Sequence, residues 1–161
     1  MAKTRFSLIF DFANQAPTQS VINNFNSFSR VGDLYLAANE DGIHSYGVCS
    51  DANGTNIDAY FAIQKTDFGI ANQKRLRAMY IGYEASGPIK LTITGDEYTT
   101  REKILQPNSG DQMQHGIRVG LNRDLRARYF EFRFDNINGV DFSIDSIILI
   151  AVILGKKPRG L

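Results

Sequence analysis

Tryptophan is absent from this 161-residue chain, cysteine occurs once and histidine twice. Each shortage removes a class of function. A lone Cys49 cannot close an internal disulfide, so the fold does not depend on an oxidising compartment. No base stands beside it in the sequence to activate a thiolate, and it reads as a small buried hydrophobe in a strand. His44 and His115 have no second His, Cys or carboxylate at metal-ligand spacing, so both read as structural or surface residues. Charge of one sign is also lacking. Eighteen Lys and Arg against seventeen Asp and Glu leave a net charge of +1, which recruits neither nucleic acid nor an anionic membrane. The longest apolar run, Ile147 to Leu154, is eight residues, less than half the ~20 that a spanning helix needs. The basic start, Met1 to Arg5, does not lead into a signal-peptide core, because Ser7 interrupts the apolar residues and Asp11 follows. A soluble protein made in a cytoplasm is expected.

What the chain does have is phenylalanine, eleven of them. Phe adds core area without a polar group to satisfy, which suits the interior of a packed sheet. The clearest pattern runs from Ala127 to Leu154. Phe130, Phe132 and Phe134 alternate with Glu131, Arg133 and Asp135, placing rings on one face of a strand and charges on the other. Asn136-Ile137-Asn138-Gly139 supplies residues that tolerate positive φ. Alternation resumes with Phe142 and Ile144 and ends in the run Ile147 to Leu154. This segment reads as a hairpin at the centre of a sandwich, its last strand buried.

The rest of the chain is punctuated in the same way. Phe6, Leu8 and Phe10 suggest a first strand. Residues 11–30 are rich in Asn, Gln and Ser and read as an arm or long loop. Strands follow at 34–37, 43–49 and 57–64, with Asn53-Gly54 marking a tight hairpin turn. Further strands are expected at 75–84, 89–94, 98–105 and 117–121. Turns at such regular spacing, with no helical period and no repeat, predict an all-β fold. The expected architecture is one antiparallel, jelly-roll-like β-sandwich over residues 1–161, with about eight to ten strands and little helix. Residues 155–161 form a basic tail.

Chemistry-bearing motifs resolve into turns and strands. Asp51-x-Asn53-x-Thr55-x-x-Asp58 has oxygen ligands at calcium-loop spacing, but Ala62 stands where the loop's final Glu would be. Asp67-Phe68-Gly69 matches the kinase magnesium tripeptide without the Gly-rich or catalytic loops. No catalytic, cofactor-binding or metal-binding residues are assigned, and the chain is not expected to be an enzyme. Tyr35, Tyr46, Tyr60, Tyr80 and Tyr83 would stack on sugars if they shared an exposed face, and otherwise cap core edges. The basic clusters Lys74-Arg75-x-Arg77 and Lys156-Lys157-x-Arg159 lack an aromatic platform for nucleic acid.

Several stretches resemble a recurring pattern in virion structural proteins of tailed bacteriophages. They are Asp67-Phe68-Gly69, the run Lys74 to Tyr83, and Leu91-Thr92-Ile93-Thr94-x-Asp96-Glu97. The closing stretch is the most specific. It comprises Gly120-Leu121, Leu125-Arg126-x-Arg128-Tyr129-Phe130-x-Phe132, and then Asn136-x-x-Gly139-x-Asp141-Phe142-x-Ile144-Asp145-Ser146-Ile147. The resemblance spans residues 42–154 and implies a particle component of the tail, neck or baseplate, with no catalytic residues. Its partners would be copies of itself and other virion proteins, with no cofactor, nucleic acid or membrane. The residues expected at subunit contacts are Phe25, Phe28, Arg30, Lys74, Arg75, Arg77, Lys156, Lys157 and Arg159. The competing expectation is a carbohydrate-binding sandwich that attaches to a cell surface, its partner a glycan.

Overall fold

The computed structural model describes residues 7–12, 15–20, 25–46, 51–52, 54–96, 99–107, 115–121 and 125–155. The chain divides into two compact units, Met1–Ile57 and Asp58–Leu161. The described secondary structure is all strand and antiparallel.

The first unit is built from local pairings. β1 (Ser7–Asp11) and β2 (Ala16–Ser20) form a hairpin. β3 (Ser27–Val31), β4 (Leu34–Asn39) and β5 (Gly42–Tyr46) form a three-stranded meander. Its first turn is Gly32-Asp33, where Gly32 takes φ +62° and its carbonyl accepts a 2.8 Å hydrogen bond from Arg30 Nε. β6 (Asp51–Ala52) and β7 (Thr55–Asn56) flank the expected Asn-Gly turn, with Gly54 at φ +76°. The stretch 11–30, expected as an arm or long loop, supplies β2 and most of β3. β3 is exposed on both faces, and such a strand has no need of the apolar alternation that would mark it in sequence.

The second unit is the sandwich. One sheet has the order β11 (Thr99–Leu105), β10 (Ile89–Gly95), β14 (Phe130–Asn136), β8 (Tyr60–Thr66). The other centres on β9 (Lys74–Ala85). β15 (Phe142–Ile153) pairs along the length of β9, and β12 (His115–Gly120) and the short β13 (Arg126–Ala127) share its opposite edge. The core lies between these sheets. Met79, Ile81 and Tyr83 of β9 meet Ile89, Leu91 and Ile93 of β10 and the three phenylalanines of β14. Burying each such apolar side chain contributes roughly 1.5–3 kcal/mol. Tyr83 keeps its hydroxyl satisfied by donating to the Gln106 carbonyl at 2.7 Å.

Two expectations for 127–154 are corrected. β14 and β15 are not a hairpin: β14 pairs with β10 and β8, and β15 with β9. The turn is where expected, with Asn138 at φ +58° and Gly139 at φ +74°, but it carries the chain from one sheet to the other. Period-two alternation says which face of a strand is apolar, not whether its neighbour lies beside it or across the core. Nor is the final strand buried. Phe142, Ile144, Ile147 and Leu149 face the core, while Ile148, Ile150 and Ile153 are exposed.

Two bulges adjust β15 against β9. Asp145 is the extra residue between the pairs Ile144–Tyr83 and Ser146–Gly82, and Arg77 is the extra residue opposite Ile150 and Ala151. Gly82 stands opposite the first, and the Asp145 and Ser146 side chains occupy the space a Cβ would take, 2.4 Å from Asp145 Oδ1 and from Ser146 Oγ. At one end of the sandwich, a corner between the sheets is held from both sides. Asp96 Oδ1 accepts from the amides of Arg128 (2.9 Å) and Tyr129 (3.2 Å), while Lys74 Nζ donates to the Arg128 carbonyl at 2.8 Å. The Asp67-Phe68-Gly69 turn joins β8 to β9, with the Phe68 ring stacked 6.5 Å from Phe130 and tilted against Phe132 at 6.4 Å.

Candidate functional site

The meander of the first unit presents two contrasting faces. The register places Phe28 opposite Ala37 and Ala37 opposite His44, then Arg30 opposite Tyr35 and Tyr35 opposite Tyr46. These residues share one face. Phe25, from the approach to β3, joins them: its ring lies 5.8 Å from Phe28, 5.6 Å from His44 and 5.9 Å from Tyr46. Phe28 and Tyr46 meet edge to face at 5.8 Å. The Arg30 guanidinium sits 5.4 Å from the Tyr35 ring centre and 3.5 Å from Asp33 Oδ1. Between Phe28, Arg30, Tyr35 and Tyr46 runs a groove of about 340 Å³ that also touches Ser29 and Leu36. The opposite face is aliphatic, carrying Val31, Leu34, Leu36 and Ile43 with interspersed serines.

Neither face has a core beneath it. Among the described residues of the first unit, Ala37 is the one buried apolar side chain, while Phe28 is 62% and Ile43 76% exposed. Leu8, Phe10 and Phe12 of the β1–β2 hairpin are exposed as well. A small sheet in water needs at least one covered apolar face to be stable.

The residues expected at contacts divide four ways. Phe28 and Arg30 are exposed on the aromatic face, and Phe25 is half-buried among its rings. Arg75 and Arg77 lie on the outer side of β9, Arg77 exposed at its bulge. Lys74 is corrected: it is 1% exposed, and its ammonium donates to the carbonyls of Ile70, Asn72 and Arg128. It shares the inward phase of Leu76 rather than the outward phase of its basic neighbours. Burial pulls its pKa below the ordinary lysine value, partly offset by the Asp67 and Asp96 carboxylates. Lys156, Lys157 and Arg159 lie outside the described residues, as does Cys49.

The five tyrosines do not form one platform. Tyr35 and Tyr46 stand side by side in the aromatic face. Tyr83 is in the core, Tyr60 lies under the Arg133 guanidinium at 3.9 Å, and Tyr80 is on the outer side of β9. His44 Nε2 is 3.0 Å from Asn39 Oδ1 in the first unit, and His115 opens β12 in the second. Among the described residues, no three His, Cys, Asp or Glu side chains gather as a metal site requires. Among them, too, no helix is long and apolar enough to cross a membrane. Comparison with known protein families, curated proteins and solved structures finds no match to this chain.

Proposed function

We propose that this chain is a structural subunit of a tailed-phage virion, acting by protein–protein assembly in the tail, neck or baseplate. The observation that carries the assembly reading is the uncovered first unit. Its strands offer aromatic and aliphatic side chains on both faces of one sheet, a composition that matches the buried centre of protein interfaces, where Tyr, Phe and Arg concentrate. Docking onto neighbouring subunits would supply the burial this unit lacks. The sandwich provides the rigid body that presents it. Placement in a phage particle rests on the resemblance carried by residues 42–154. Light scattering of the purified chain, with mass spectrometry of purified particles, tests both parts. An oligomer present in particles is the expected result. A monomer that is absent from particles would defeat the proposal.

A second reading has one observation in its favour. Tyr35, Tyr46 and Phe28 line an open groove with Arg30 at its edge. Aromatic faces pack against sugar rings, and a guanidinium can donate to hydroxyls. On this reading the first unit binds a cell-surface glycan. A glycan array separates the two, since binding lost in Tyr35→Ala and Tyr46→Ala by a monomeric protein supports the second.

A further inference from the structure

We propose that β15 pairs antiparallel with β15 of a second copy of this chain, about a two-fold axis at Leu149, joining two sandwiches through one continuous sheet. The proposal rests on the assembly reading above and names the surface that brings copies together. Among the described residues, β15 pairs on one edge only, with β9. Its twelve residues therefore offer a row of main-chain donors and acceptors, and the chemistry that satisfies such a row is another extended strand. Natural edge strands that must stay single are guarded by lysine, proline or short length. β15 contains no Lys, Arg or Pro from Phe142 to Ile153, and past the bulged Asp145 the residues Ser146 to Ile153 are all uncharged.

The sequence of the strand identifies the second strand as its own copy. Pairing about Leu149 sets Ile148 opposite the partner's Ile150 and Ile147 opposite the partner's Ala151, so the centre of the contact is apolar on both faces. Ile148 and Ile150 are both on the exposed face, 62% and 40% exposed. Self-pairing therefore unites two apolar stripes that are otherwise wet, which is the self-complementarity a two-fold interface demands. The charges agree. Asp145, the one charged residue of β15, lies at one end, over Gly82. The same register sets Ser146 opposite the partner's Val152, whose neighbour in β9 is Arg75. Each copy thus brings its Asp145 end alongside the other's Val152–Ile153 end, where Arg75 stands one strand further in on β9, and the two Asp145 side chains stay apart. Opposite charges arranged this way fix register more than they add affinity.

Sedimentation velocity on the full chain, over a hundredfold range of concentration, tests the pairing. The wild type is expected to dimerise. Ile148→Lys, on the exposed face, and Arg75→Glu should each raise the dissociation constant at least tenfold. Ile43→Lys, in the first unit, should leave this dimer unchanged. Hydrogen exchange of the wild type provides a reading independent of variant folding: the amides of residues 146–152 should slow as concentration rises. A wild-type monomer at all concentrations would overturn the proposal, as would a dimer that survives Ile148→Lys with no concentration-dependent protection of β15. An oligomer broken by Ile43→Lys and not by Ile148→Lys would overturn the pairing while leaving the assembly reading intact.

Discussion

Phe132 and Phe28 are the same residue in strands of similar length, and they are in opposite situations. Phe132 is fully buried, between sheets whose other side chains close around it. Phe28 stands on a three-stranded sheet with most of its ring in water and other aromatics for neighbours. The difference lies in what each sheet faces. The Asp58–Leu161 unit folds two sheets onto one another and buries the apolar faces between them, leaving Ile148, Ile150 and Ile153 of β15 exposed. The Met1–Ile57 unit leaves both faces of its meander uncovered. Buried apolar packing is therefore concentrated in one unit, while the other exposes most of its described apolar side chains.

Substitution at the two phenylalanines should split along this line most sharply. Phe132→Ala leaves a cavity between the sheets and should cost about 3–5 kcal/mol in chemical denaturation. Phe28→Ala should change the stability of the unassembled full chain by less than about 0.5 kcal/mol, as exposed substitutions usually do, yet weaken assembly. Equal losses from both would dissolve the distinction.

Lys74→Met comes next. It strips the donor from three carbonyls at the corner near Arg128 and should cost about 1–3 kcal/mol, read from the denaturation midpoint. The sign of its pH effect follows from burial. The native ammonium has a pKa below the ordinary 10.5, so the folded state holds fewer protons than the unfolded one between those values. Stability should rise with pH through that window, and Lys74→Met should remove that rise.

Tyr83 contributes with the opposite sign. Burial raises its pKa above the ordinary 10.0. Its contribution is complete below that pH and lost as pH climbs toward the raised value, because the unfolded chain ionises first. Tyr83→Phe should cost about 1 kcal/mol at neutral pH through the lost bond to Gln106, and should flatten the alkaline decline. Both profiles are measurable by denaturant titration from pH 8 to 11.

The smallest effect sharpens the comparison from the other side. Ile43→Lys should leave the melting of the Asp58–Leu161 unit within about 0.5 kcal/mol of wild type. Its consequence should instead appear as weaker incorporation into particles, measured by competition with the wild-type chain.

Much of the sandwich was legible in the residues. Phe130, Phe132 and Phe134 announced a buried face, and Ile89, Leu91 and Ile93 did the same. Gly95-Asp96-Glu97 marked the turn of the β10–β11 hairpin. What alternation could not convey was partnership: the turn at Asn138-Gly139 has the residues of a hairpin and serves as a crossing between sheets. The apolar run Ile147 to Leu154 has the composition of a buried strand, and the fold covers one of its faces. Its composition fits a strand whose second face is covered by a neighbour. Lys74 was grouped with Arg75 and Arg77 by charge, although its phase with Leu76 placed it inside. The aromatic face of the first unit was the least legible feature. Phe28, Tyr35 and Tyr46 come from three strands, and only the register brings them together.

Hydrogen exchange along the isolated chain tests the contrast between the units most directly. The amides of β9, β10 and β14 should exchange only through global unfolding. Those of β3, β4 and β5 should exchange at least a hundredfold faster in the free chain and slow on assembly. Protection of β3 to β5 in the monomer equal to that of β10 and β14 would contradict the division of the molecule into a self-sufficient sandwich and a unit that needs a neighbour.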